Sequence, residues 1–220
     1  GRWRRCRRAR PADRRRVRTR GRPMKVWGTV IVSLIAIAVV FSLFLLLTGS
    51  RPVGSENLIG RSLPDFAAPL ADSGLRLDSN VFTPEAARAG DSTAACDVRV
   101  PGAFNSCRDL TGRSIVAFWN PDKPKCIEQV DELDALAREA KDVSAVAVSF
   151  DKPIDEVAPV TADHRWRISV AVDRDGAVSA LYSVAGCPTV FFAVNGKIVG
   201  VRLGLQSSAE LRRGLSDGDG

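Results

Sequence analysis

Five cysteines carry the most reactive chemistry in this 220-residue chain: Cys6, Cys96, Cys107, Cys126 and Cys187. A thiolate is a nucleophile and a metal ligand, and two thiols make a two-electron couple. Cys6 lies alone in an Arg-rich N-terminal tail and is set aside. The other four allow three pairings, which spacing does not separate. Cys96 and Cys107 enclose the stretch DVRVPGAFNS. A bridge across so short a loop contributes about 3 kcal/mol in the chain-entropy account, which suits a structural disulfide.

The remaining candidates offer less. His164 is the only histidine and is far in sequence from any cysteine, so neither a Cys–His dyad nor a zinc site finds its partners, and no metal is expected. Asp151, Asp155 and Glu156 read as a loop and helix start. Asp173-Arg174-Asp175-Gly176 has part of a calcium-loop pattern without the later ligands, and reads as a turn. No Gly-rich phosphate loop follows a strand, so no cofactor is expected. A peroxidatic thiol requires P-x-x-x-[ST]-x-x-C. Here Pro121 precedes Cys126 at the wrong spacing with no Ser or Thr between them.

Charge says where this chemistry takes place. The chain holds 32 Lys+Arg against 25 Asp+Glu, a net +7 that at first suggests nucleic acid. Residues 1–25 alone carry 13 basic side chains and one acidic one, Asp13, which leaves everything after them net negative. Such a split describes a tail, and no nucleic-acid partner is expected. Residues 26–48, VWGTVIVSLIAIAVVFSLFLLLT, contain no charge and no proline. A bilayer core needs roughly 20 apolar residues, so this run reads as a single transmembrane helix. Basic residues crowd its N-terminal side, so the N-terminus is expected in the cytoplasm and residues 49–220 on the outer side of the cell membrane, where disulfides persist. The run exceeds the roughly 7–15 residues of a signal-peptide apolar region and no A-x-A site follows, which favours an uncleaved anchor. The tail over 1–25 is expected to be disordered. Met24 is the sole methionine, so residues 1–23 read either as translated upstream sequence or as a basic juxtamembrane segment.

Beyond a Gly/Ser/Pro linker over 49–56, the chain alternates strand and helix patterns. Ser114–Asn120 is a compact apolar run typical of a buried strand. The helix expected over Lys125–Lys141 puts Ile127, Val130, Leu133, Leu136 and Ala137 on one face. Strands are expected at Val143–Phe150 and Ile168–Asp173, and helices at Pro153–Trp166 and Val178–Tyr182. Thr189–Val194 and Lys197–Arg202 flank Asn195-Gly196, the strongest short-range hairpin signal. Ser207-x-x-Glu210 reads as the capping box of a last helix, with a flexible C-terminus over 216–220. The fold class is therefore α/β, a central mixed sheet flanked by helices over residues 57–215, with an insertion around 78–112.

At Phe118-Trp119-Asn120-Pro121-Asp122-Lys123-Pro124-Lys125-Cys126 the chain resembles the membrane-anchored thioredoxin-like proteins of the TlpA and ResA type. In that family an F-W-x-x-W-C-x-x-C run ends a buried strand and opens a helix. Gly186-Cys187-Pro188-Thr189 and the hairpin after it resemble the family's cis-proline loop. Gly60-Arg61-Ser62-Leu63-Pro64-Asp65-Phe66 resembles its G-x-x-x-P-D-F opening strand. The resemblance implies a thioredoxin-like fold and places Lys123 where the family has its first cysteine. Lys123 cannot attack a disulfide, so the usual vicinal mechanism is lost. In that fold the cis-proline loop packs against the start of the active-site helix, which implies that Cys126 and Cys187 are close enough to bridge. The expected function is thiol-disulfide oxidoreduction by Cys126 and Cys187 on exported or membrane-bound protein partners, with Trp119, Lys123, Pro124 and Pro188 shaping the site. The alternative is a redox-inactive binding or scaffold domain in which Cys126–Cys187 is a structural disulfide.

Overall fold

A computed structural model of the chain describes residues 54–81 and 94–216. The chain divides into Gly1–Arg51 and Pro52–Gly220, and the described residues belong to the second unit. The expected anchor over 26–48 and the tail lie outside the described residues. Among the described residues no helix is long and apolar enough to cross a membrane.

The centre is strand β4, Arg113–Trp119, whose residues from Ser114 onward are all buried. A strand apolar on both faces belongs in the middle of a sheet covered on both sides. β4 runs parallel to β5, Val143–Phe150, and antiparallel to β7, Thr189–Val194. β6, Ser169–Asp173, and β8, Lys197–Leu203, complete the order β6-β5-β4-β7-β8. Between β7 and β8, Asn195 (φ 50°) and Gly196 (φ 75°) supply the two left-handed residues that a tight hairpin needs.

Alternation along β4 sends its side chains to two cores. Ile115 and Ala117 pack with Leu133 and Leu136 of α2, Pro124–Glu139, and with Leu211 and Leu215 of α5, Ser208–Ser216. Val116 and Phe118 face the opposite side, among Phe66, Phe104, Tyr182 and Phe191. Between β5 and β6 lies α3, Ile154–His164, and α4, Ala177–Leu181, follows β6. The last helix carries the expected capping box: the Ser207 backbone N–H donates to the Glu210 carboxylate at 2.8 Å, and the Glu210 N–H donates to Ser207 Oγ at 3.4 Å.

A second, three-stranded sheet has the order β2-β1-β3, with β1 at Phe66–Pro69, β2 at Asn80–Val81 and β3 at Ala103–Asn105. β3 and the short helix α1, Ser106–Asp109, lie in the stretch read as an insertion. Phe66 and Phe104 anchor this sheet in the main core at 0% and 2% exposure. Burial of each ring contributes about 1.5–3 kcal/mol, enough to fix strands too short to be stable alone. The buried face of α2 also differs from the expected one. Cys126, Gln129 and Asp134 are buried, whereas Ile127 and Ala137 are only partly so. Both polar groups are satisfied. Gln129 exchanges two hydrogen bonds with the Gln206 backbone, at 3.1 and 2.7 Å, and Asp134 accepts from the Arg167 and Ile168 N–H groups at 2.7 and 3.2 Å.

Candidate functional site

The turn after β4 builds one half of the site. Asn120 Oδ1 accepts from the Asp122 N–H at 2.9 Å, and the Lys123 N–H donates to the Asn120 carbonyl at 3.1 Å. Lys123 is the extended N-cap residue of α2, without a capping hydrogen bond from its side chain, and Pro124 takes the first helical position. Proline suits that position because its missing N–H would be unpaired there anyway. Cys126 then falls in the first turn, its N–H donating to the Lys123 carbonyl at 2.9 Å.

The loop between α4 and β7 builds the other half. The Cys187–Pro188 peptide bond is cis. Thr189 Oγ1 donates to the Gly186 carbonyl at 2.6 Å, and the Gly204 N–H, just past β8, donates to the Pro188 carbonyl at 2.9 Å. Cys126 and Cys187 are joined, with S–S 2.02 Å and Cα–Cα 5.7 Å across 61 positions of sequence.

The two sulfurs differ in access. Cys126 is 1% exposed, whereas Cys187 is only partly buried. A cleft of about 520 Å³ opens over them, lined by Asn120, Lys123, Pro124, Lys125, Phe150 and the stretch from Ala185 to Pro188. Trp119 does not reach the cleft. It is fully buried beneath, in one apolar cluster with Cys126, against which Cys187 packs, and its ring meets Trp166 edge-on at 5.1 Å. Its indole N–H has no hydrogen-bond partner among the described residues, nor does the hydroxyl of Ser149, its register partner on β5.

Electrostatics at the rim are cationic. Lys152 binds Asp122 at 2.6 Å and Glu156 at 2.9 Å, and these two carboxylates, Asp122 foremost, hold its ammonium above the ordinary lysine range. Asp122 is thereby occupied. Lys123 and Lys125 are exposed and make no ion pair with any described residue. Positive charge and a helix N-terminus both favour a thiolate over a thiol.

His164 takes no part: its Nδ1 lies 2.9 Å from Asp131 Oδ1, the oxygen that also accepts from Trp166 Nε1 at 2.7 Å. Asp155 pairs with Arg76, and Asp173 caps α4 through the Val178 and Ser179 N–H groups. Cys96, in a 3-10 turn at Ala95–Asp97, is bonded to Cys107 in α1, with Cα–Cα 5.4 Å. Neither lines the cleft. Asn105 ties their two turns together, accepting from the Cys107 N–H at 3.1 Å and donating to the Ala95 carbonyl at 2.8 Å. Sequence reasoning missed Asn120 and Phe150 in the cleft. Asn120 carried a usable signal, since an Asn two residues before a turn N–H favours an Asx turn.

Solved structures share this fold. A thiol:disulfide interchange protein described as DsbE, from Chlorobium tepidum, superposes with a TM-score of 0.55 at 20% identity, covering 74% of this chain and 98% of the other. A thioredoxin family thiol:disulfide interchange protein from Chlorobium tepidum TLS gives 0.51 at 16% identity, covering 72% and 96%. The C-terminal domain of a protein described as a thiol-disulfide oxidoreductase, from Bacteroides thetaiotaomicron, gives 0.51 at 15%, covering 73% and 95%. No curated protein matches the sequence. The structural likeness establishes a thioredoxin-like fold, with its mixed sheet and flanking helices. A family model spans residues 92–201, from the turn that holds Cys96 through the Cys187–Pro188 loop and into β8, and by that match the chain belongs to the AhpC/TSA family.

Proposed function

We propose that the chain is an extracytoplasmic, membrane-anchored thiol-disulfide oxidoreductase of the TlpA/ResA type whose redox pair is Cys126 and Cys187. Its partners are thiols and disulfides of exported or membrane-bound proteins. The observation that carries this reading is the position of the pair: one sulfur in the first turn of α2, the other beside the cis proline, under an open cleft rimmed by Lys123 and Lys125. The uncharged run over 26–48 and the basic tail before it support the location.

The difference in access orders the steps. A partner thiolate attacks Cys187 Sγ, the accessible sulfur. The Cys126–Cys187 bond breaks, a mixed disulfide forms, and Cys126 leaves as a thiolate at the helix N-terminus. A second partner thiolate then attacks its own sulfur in the mixed disulfide, which releases oxidised partner and a Cys126/Cys187 dithiol. In reverse, Cys187 attacks a partner disulfide and Cys126 resolves it. The burial of Cys126 favours one other reading, a permanent staple in a binding domain.

Trapping separates the two. Cys126→Ala is expected to accumulate mixed disulfides on Cys187, detected by non-reducing electrophoresis and peptide mass spectrometry, while Cys187→Ala accumulates none. No adduct on either variant, together with a reduction potential below about −300 mV, establishes the staple.

A further inference from the structure

Away from the cleft, an oxygen of Asp65 and the sulfurs of Cys96 and Cys107 all lie within 4.8 Å of one another. The three residues come from different elements held together by short, specific contacts. Asp65 immediately precedes β1, and the Phe66 N–H at the head of that strand donates to the buried Ser106 Oγ at 2.8 Å, one residue before Cys107. Asn105 fixes the turn that carries Cys96 against the one that carries Cys107. The backbone segments that carry the carboxylate and the two sulfurs are thus held together by specific links.

Asp65 is exposed, and among the described residues it has no hydrogen-bond or ion-pair partner. Arg108 pairs with Asp109 at 2.7 Å, and Arg99 donates to the Cys96 and Val98 carbonyls. Burial, with a smaller contribution from Asp65, pushes the Tyr182 hydroxyl well above its ordinary range.

We propose that Asp65, Cys96 and Cys107 form a redox-gated site for a thiophilic divalent cation of the zinc type, closed while the disulfide is intact and created when it is reduced. A disulfide sulfur carries no thiolate charge. A dithiol reductant transfers two electrons to the bridge, gives two thiols and leaves as its own disulfide. The cation then displaces two protons and binds two thiolates and the Asp65 carboxylate, leaving one position for water. Tetrahedral zinc, with Zn–S of about 2.3 Å and Zn–O of about 2.0–2.2 Å, spaces its ligand atoms by roughly 3.5 Å, within side-chain reach of the arrangement seen. In the reduced protein the cation replaces the lost bridge between the two turns. This site is independent of the Cys126/Cys187 reading.

The test uses the full chain, oxidised or reduced with a phosphine and desalted without oxygen, titrated with cobalt(II) and then zinc(II). The reduced chain is expected to bind one cobalt with thiolate charge-transfer and tetrahedral d–d bands, bleached by zinc, and the oxidised chain none. The double variant Cys126→Ser/Cys187→Ser keeps the signal. Asp65→Asn weakens binding by at least the roughly 10–100-fold that loss of even an outer-shell partner costs. Equal binding by oxidised and reduced chains, a signal lost with Cys126 and Cys187, an Asp65→Asn variant that binds normally, or loss of secondary structure on reduction each overturns the proposal.

Discussion

Reduction of the Cys126–Cys187 bridge measures how the site is used. The bridge closes a sequence separation of 61, which in the chain-entropy account stabilises the folded state by about 4 kcal/mol. A bridge that only staples the fold returns that full amount. A redox pair returns less, because the same surroundings also stabilise the reduced form. Cys126 sits in the first turn of α2, where the helix terminus favours a thiolate by at most about 2 kcal/mol, and burial of the sulfur works against that gain. Lys123 and Lys125 are solvent-exposed and screened, so they add little. The oxidised form of a redox pair is therefore expected to exceed the reduced one by less than the full amount, with a floor of about 2 kcal/mol. At 30 mV for each 1.4 kcal/mol of a two-electron couple, a shortfall of at most about 2 kcal/mol raises the potential by up to about 45 mV over that of an inert bridge. Cys96→Ser/Cys107→Ser leaves a single reducible pair for the measurement. Denaturant midpoints give the stability difference, and equilibration with thiol buffers followed by alkylation gives the potential. Trp119, packed with Cys126, provides the fluorescence signal. A difference of about 4 kcal/mol or more, with a potential below about −300 mV, refutes the redox reading.

Three further substitutions test the packing and charge that hold the fold. Gly214→Ala reverses the usual sign of a glycine replacement in a helix: the added Cβ meets the buried Phe192 ring at 2.6 Å, so a loss of about 1–3 kcal/mol replaces the gain of roughly 1 kcal/mol normally expected, and a stabilised variant in denaturant melts contradicts this. Ser149→Ala removes a fully buried hydroxyl without a partner among the described residues, and is expected to leave stability unchanged or raise it by up to about 1–3 kcal/mol, the range for such an orphan; a clear loss shows that the hydroxyl is bonded. Hydrogen bonds from the Ser207 N–H and hydroxyl hold the Glu210 carboxyl below its ordinary range, so its stabilisation is complete above the unfolded value of about 4.3 and is lost as pH falls through the lower folded value. The gap in melting temperature between the native chain and Glu210→Gln is therefore present at neutral pH and closes in strong acid; a gap that persists there refutes the assignment.

The central sheet was legible in the sequence because each of its strands is a short apolar run bounded by turn residues. Val143–Phe150 and Thr189–Val194 lie where periodicity put them, and Asn195-Gly196 marks its hairpin by backbone conformation alone. The small sheet was legible only where the resemblance over residues 60–66 marks an opening strand. Phe66–Pro69 and Ala103–Asn105 are three or four residues long, too short to show a period of two, and their order comes from contacts distant in sequence: Phe66 against Phe104, and the Phe66 N–H on Ser106. On α2, Val130, Leu133 and Leu136 are buried as expected, but the polar members of its buried face were missed for a related reason. Gln129 and Asp134 look like solvent positions by polarity, yet each is buried where it hydrogen-bonds a backbone segment distant in sequence, at Gln206 and at Arg167–Ile168.

The site divides along the same line. Its cysteines are visible as residues, but which sulfur meets which is decided by the fold, since 61 positions separate Cys126 from Cys187. Lys123 shows what the N-cap position contributes by itself. With no thiol there, the helix N-terminus and the cleft remain, and the nearest sulfur to face solvent is Cys187 on the opposite wall. Any attack on this disulfide therefore approaches from the loop side, not along the helix axis. Under the proposed function, Cys126, shielded beside Trp119, is the group that leaves and later returns. Introducing a thiol with Lys123→Cys sets two acceptors in competition for Cys126, one three residues away in the helix turn and one across the cleft. Non-reduced peptide mapping of that variant is expected to show two bridged species, one joining Cys126 to the introduced thiol and one joining it to Cys187. Finding only the Cys126–Cys187 bridge refutes the view that position 123 retains the geometry of an active-site thiol.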